Sequence, residues 1–157
     1  MNTQTIVESP PILSGAFPKS ERLHHHSLVN RLFREGKSFY EFPLRVSWNT
    51  MDHQALQQNF RSMVPEGIGG LQMMITVPKK KRKRAVDRVL MRRRIREAWR
   101  LNRGPLAQTV FALPHIRTLS VGLVYIHDRN LDYETIEQKI KLIVKKLISK
   151  INQEYHH

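Results

Sequence analysis

Three kinds of side chain in this 157-residue sequence could take part in chemistry. His24, His25 and His26 suggest a metal site, but consecutive side chains on a helix diverge by about 100° and do not converge on one ion. A pairing with His53 or His115 is the remaining route, and His156 and His157 read as a frayed terminus. The acids that could work as a general acid and base, Asp87, Asp132, Glu134 and Glu137, read as helix-cap and surface positions. Neither a phosphate-binding glycine loop nor an H-E-x-x-H pair is present, and with no cysteine there is neither a thiolate metal site nor a disulfide framework. The sequence therefore predicts no catalytic residues, no metal ligands and no cofactor bound by the protein alone.

The third kind is basic. From Lys79 to Arg103 the chain carries thirteen Lys or Arg against two acids, and this stretch accounts for most of the formal net charge of +14. The chemistry such a cluster can do is to hold phosphates, because concentrated positive charge captures polyanions. The predominance of arginine favours forked contacts to phosphate oxygens. The run "PKKKRKR" also has the composition of a nuclear address, but its position between a strand and a helix speaks against the pliable exposure a signal needs.

A helical wheel shows how the basic residues must be positioned. With Val86 at 0°, Leu90, Leu101, Ala98, Met91, Ile95 and Trp99 occupy about 40° to 220°, and Arg88, Arg92, Arg103, Arg96, Arg100 and Arg93 about 200° to 340°. This predicts an amphipathic helix with an arginine face. Glu97 lies near the edge of that arc, and Arg94, near 80°, is expected to snorkel out of the apolar side. Six arginines on one face repel one another, and phosphates supply the missing negative charge.

Around this helix the pattern is mixed. Residues 1 to 16 read as a flexible leader, with no basic residue before Lys19 and no signal peptide. The domain then runs from 17 to 157. A helix capped by Ser20 or Ser27 carries Leu28/Leu32 and Val29/Phe33 and stops at Gly36. "FPLRVSW" alternates as a half-buried strand, with Phe42, Leu44, Val46 and Trp48 on one face. Residues 50 to 70 read as a loop. Strands follow with Leu71, Met73, Ile75 and Val77, and with Leu119, Val121, Leu123 and Tyr125, each set on one face. The basic helix lies between them, stopped by "NRGP"; residues 105 to 116 are ambiguous. A last helix, capped by Asn130 or Asp132, repeats Ile136, Ile140, Ile143, Leu147 and Ile151. This order predicts an α+β sandwich. No segment approaches the run of apolar residues needed to cross a membrane, so the protein is expected to be soluble or peripheral and to reside in the cytoplasm.

These residues resemble the protein subunit of bacterial ribonuclease P. The family's "F-K-x-x-R-L" is matched by Phe17, Lys19, Arg22 and Leu23, and its "L/V-F-x-x-G" by Leu32, Phe33 and Gly36. Its basic-helix motif is matched in register by Ala85, Val86, Arg88, Arg92, Arg93, Arg96 and Glu97. The family's Arg-Asn-Arg reads Arg88-Val89-Leu90 here. Leu90 falls in the apolar arc, and Val89 falls in the middle of the arginine face, where one polar RNA contact is lost.

The resemblance implies a ribosomal S5 domain 2-like α-β sandwich with a left-handed βαβ crossover, against the usual right-handed rule. It implies an endoribonuclease in which a catalytic RNA subunit, with magnesium, hydrolyses precursor tRNA, the protein itself supplying no catalytic group. It also implies that the RNA is docked by Lys79, Lys80, Lys81, Arg82, Lys83, Arg84, Arg88, Arg92, Arg93, Arg96, Arg100 and Arg103. A leader cleft between the first helix and the sheet would use Phe17, Lys19, Phe33, Arg45 and Ser47, with Val29 standing where some members have an aromatic. No protein partner is implied. Two other functions fit a basic α+β protein: a ribosomal or other structured-RNA binding module, and a peripheral protein whose C-terminal helix lies on anionic lipid.

Overall fold

The computed structural model describes residues 17–155; the expected leader over residues 1 to 16 and the terminal His156 and His157 lie outside them. Four strands form one mixed sheet: β1 (Lys37–Glu41), β2 (Leu44–Met51), β3 (Leu71–Thr76) and β4 (Thr118–Tyr125), in the order β1-β2-β4-β3. β1 and β2 form an antiparallel hairpin, β2 pairs antiparallel with β4, and β3 pairs parallel with β4. Five helices accompany the sheet: α1 (His26–Glu35), α2 (His53–Gln58), α3 (Ala85–Asn102), α4 (Gly104–Phe111) and α5 (Tyr133–Tyr155). The parallel β3–β4 pair requires a crossover, and α3 and α4 supply it. The α+β class follows.

Strand alternation divides the sheet into two unlike faces. Leu44, Val46 and Trp48 of β2, Leu71 and Met73 of β3, and Leu119, Val121, Leu123 and Tyr125 of β4 point one way. There they pack against Met91, Ile95 and Trp99 of α3, Leu106 and Val110 of α4, and the isoleucine stripe of α5. The opposite face carries a second, much smaller cluster: Leu23, Leu28, Leu32, Met51, Leu56 and Ile68. It lies beneath α1, which ends at Gly36. A Cβ on Gly36 would stand 2.3 Å from the Leu32 carbonyl oxygen, so only glycine fits where the chain leaves the helix.

Several expected boundaries shift. The strand predicted from Phe42 begins at Leu44, and Phe42 is an exposed turn residue between β1 and β2. β1 itself was not expected. The predicted loop from 50 to 70 contains α2, whose first turn is capped by Asp52 accepting from the Ala55 amide at 2.7 Å. α1 starts after His25 without a serine cap. The ambiguous segment after "NRGP" is α4, with Pro105 tolerated in its first turn. Of the two caps offered for α5, Asp132 does the work, accepting from the Thr135 amide at 3.0 Å. On α3 the buried seam is Asp87, Met91, Ile95, Ala98 and Trp99; Leu90 is half-buried and Leu101 exposed, so the apolar arc is narrower than the wheel gave it.

Candidate nucleic-acid interface

The basic run after β3 is folded chain. The amides of Lys81 and Arg82 both donate to the Pro78 carbonyl, closing a turn. Arg82 then reaches back across the loop that precedes α5. Its Nε donates to Asn130 Oδ1 at 3.0 Å, its Nη1 to the Asp128 carbonyl, and its Nη2 stands 3.2 Å from Asp87 Oδ2. Arg88 Nη1 closes the same turn from the other side, donating to the carbonyls of Arg82 and Lys83. At the centre is Asp87, buried in the first turn of α3 and also bonded by Arg84 and Asn130. These bonds, that from Arg84 foremost and that from Asn130 next, hold its carboxyl at a pKa of about 2. By type and position Asp87 reads as a helix-cap or surface residue; in the structure it organises the loop.

With the turn fixed, the cations separate into three groups. Lys79, Lys80, Lys81, Lys83, Arg84, Arg93 and Arg96 are exposed. Arg88, Arg92 and Arg100 are half-buried, Arg100 donating to Glu97. Arg82 and Arg103 turn inward. Arg103 corrects the wheel most clearly. Its side chain is 1% exposed, and its guanidinium forks onto the Glu21 carboxylate and caps the Arg100 carbonyl. It sits past the end of α3, at the junction with α4, where helical angles no longer say which way a side chain points. Arg94 leaves the apolar side as expected, its Nη1 donating to the Leu131 carbonyl at 2.5 Å. Val89 is exposed on the arginine face, as its wheel angle requires.

The Glu21–Arg103 pair fixes the short 3-10 turn Lys19–Glu21 against the start of α4, and Leu23 donates its amide to the Met73 carbonyl at 3.0 Å. The N-terminal segment is thereby laid along β3. Between the two is a cleft of about 460 Å³ lined by Phe17, Arg22, Leu23, Met73, Met74, Ile75, Arg92 and Arg96. Arg22 donates to the Phe17 carbonyl from Nε and Nη2. Arg92 and Arg96 make no ion pair among the described residues, and no carboxylate lines the cleft.

The residues assigned to a leader cleft fall into two places. Phe17 lies in the arginine-lined cleft at the edge of β3, and Lys19 is exposed beside it. Phe33, Arg45 and Ser47 come together on the α1 face of the sheet. Ser47 is paired with Gly122, and a Cβ on Gly122 would stand 3.1 Å from Phe33 Cζ, so the ring lies directly on this glycine. Phe33 keeps 41% of its surface exposed, half in contact and half open. Ser47 is buried, and Arg45, half-buried, has a buried Nε without a hydrogen-bond partner. Met74, which lines the arginine cleft, is in register with Gly122 and joins the two places.

The histidines do not line the arginine cleft. The rings of His24 and His25 lie tilted to each other with centroids 4.3 Å apart, and His25 meets Phe60 edge-on. Burial first, then the charges of His24 and Lys19, lower the His25 pKa. Among the described residues no group of three His, Cys, Asp or Glu could hold a metal ion, and no helix is long and apolar enough to cross a membrane.

The family described as Ribonuclease P matches residues 17–148. Two relatives from strains of Porphyromonas gingivalis, each called ribonuclease P protein component, are 31% and 30% identical. The first alignment covers 78% of this chain and 80% of the relative, the second 85% of each. The fold is similar to that of the Staphylococcus aureus RNase P protein, at a TM-score of 0.56 and 17% identity, covering 82% of this chain and 96% of that one. It is also similar to the RNase P protein from Thermotoga maritima, at a TM-score of 0.53 and 20% identity over 80% and 96%.

Proposed function

The chain belongs to the ribonuclease P protein family, and from that premise we propose that it docks α3 and the Lys79–Arg84 turn on a catalytic RNA and holds the 5′ leader of precursor tRNA. The observation that carries this reading is the arginine face of α3 opening onto the cleft at the β3 edge, where Arg92 and Arg96 meet Arg22 and Phe17 with no carboxylate to neutralise them. From there Met74 leads to the face bearing Phe33, Arg45 and Ser47, where an open ring beside a cation suits a base and its phosphate. In this reading the chain contributes to an endoribonuclease without a catalytic group of its own. Magnesium serves the RNA, and the complex works in the cytoplasm. The finer fold we propose is the ribosomal S5 domain 2-like sandwich with a left-handed crossover from β3 through α3 and α4 to β4; the parallel β3–β4 pairing supports the crossover, and the family resemblance its hand.

The physical role is to bring two polyanions together. A folded cation of formal charge +14 replaces part of the metal-ion screening the RNAs otherwise need. The test is reconstitution with the cognate catalytic RNA. The chain alone should not cleave precursor tRNA, and its addition to the RNA should promote 5′ maturation most strongly at low magnesium. Cleavage by the protein after all RNA has been digested away would overturn the reading, as would a lack of stimulation at every magnesium concentration.

A further inference from the structure

The cleft face does not end at Phe33. Across the sheet, the register aligns Met74, Gly122, Ser47 and Ser38 in one row and Thr76, Val124, Arg45 and Tyr40 in the next. Neither row contains a carboxylate. Tyr40 stands at the outer end, on β1, the strand farthest from the arginine-lined edge of β3. Its neighbours in sequence turn the other way. Phe39 lies under the ammonium groups of Lys146 and Lys150, and Glu41 pairs with Lys146 at 2.5 Å and Lys139 at 3.9 Å, all on α5. Alternation therefore puts Tyr40 on the α1 side.

Tyr40 is 63% exposed, and its side chain has no hydrogen bond, ring contact or cation partner among the described residues. An edge strand is ordinarily protected by charge, which Lys37 and Glu41 already provide, and a ring left mostly open adds little to the sheet. Arg45 lies directly across from it, and Phe33 sits over Gly122, two strands away and two residues along. With strands about 4.8 Å apart and a rise of about 3.4 Å per residue, the Cα atoms of Tyr40 and Gly122 are separated by about 12 Å. The result is an open ring, a cation and a second open ring in succession across the sheet, leading away from the arginine-lined edge of β3.

We infer that Tyr40 is a second stacking platform for the single-stranded leader, taking a base farther from the scissile bond than the one at Phe33, with Arg45 between them on the intervening phosphate. This rests on the proposed leader cleft and adds its outer limit. The position lies on the β1–β2 hairpin, outside the motifs that carry the family resemblance.

The test uses the holoenzyme reconstituted with its catalytic RNA and precursors whose leaders grow from a single nucleotide to about six, within the span such surfaces cover. Stacking on one aromatic makes a difference of about ten-fold in affinity. Tyr40→Ala should lose about that factor on the longest leader and nothing on the shortest, and Tyr40→Phe should bind as the wild type does. Phe33→Ala should lose affinity from shorter leaders onward. If Tyr40→Ala keeps the full gain with leader length, or loses affinity equally at every length, the platform is refuted. In the second case Tyr40 faces the catalytic RNA. If the wild type itself gains nothing with length, the cleft reading fails and takes this inference with it.

Discussion

At the residue scale, the sequence conveyed which residues are charged better than which way they point. Arg103 reads as part of an RNA-facing arginine surface, yet its guanidinium is bonded to Glu21, 82 positions away along the chain. No local periodicity carries that information, and only the fold brings the N-terminal segment against the α3–α4 junction. Asp87 is a similar case: its type suggested a cap, but Arg82, Arg84 and Asn130 all bind it. Its carboxyl, held at about 2, lies below the ordinary unfolded value of about 3.9. A depressed pKa means that its contribution to stability is fully present above about pH 4 and is lost as pH falls through about 2. We therefore expect Asp87→Asn to lower the melting temperature at neutral pH, and the gap from the wild type to narrow steadily as melts are recorded from pH 4 towards 2. A gap that stays constant over that range would show that the charge of Asp87 is not what holds the loop.

At the element scale, the long periodic segments were legible and the short ones were not. α3 and α5 announce themselves because their apolar repeats run for several turns. β2, β3 and β4 do so because their inward positions alternate cleanly. β1 has five residues, begins with Lys37 and ends with Glu41, and is held partly by ion pairs to Glu154 and Lys146 on α5, so it carries no apolar alternation to read. α2 is six residues with one buried leucine. For α3 the division of labour between its faces gives a direct expectation. Arg92 and Arg96 line the cleft and make no ion pair among the described residues, so removing them should cost phosphate contacts and not stability. In Arg92→Ala/Arg96→Ala, the slope of log affinity for RNA against log salt should fall by about two units, while far-ultraviolet circular dichroism is unchanged. An unchanged slope would take this face of α3 out of the RNA interface.

At the scale of the whole molecule, the α+β layering could be argued from the order of elements, and the two-sided character of the sheet from strand alternation. What could not be argued was where the candidate site's parts meet. The resemblance groups Phe17 with Phe33, since both belong to its motifs. The sheet order instead puts Phe17 with the arginines at the β3 edge and leaves Phe33 over β4. Strand order depends on pairings between segments far apart in sequence, here β4 inserted between β2 and β3, and single-sequence patterning does not encode it.

The unequal packing of the two faces also sets a hierarchy in time. α1 and α2 rest on a cluster of six buried side chains, whereas α3, α4 and α5 share the large core. Regions with few buried apolar contacts open by local fluctuations that cost less than global unfolding. Amide hydrogens of α1 should exchange with solvent through such sub-global openings, nearly independent of added denaturant, while those of β2, β4 and α5 wait for the whole molecule to unfold. Mass-spectrometric exchange across a denaturant series measures this, and equal protection in α1 and β4 would contradict it. The roof that carries Phe33 is then the part of the molecule that breathes, and the floor that bears Arg45 is the part that stays still.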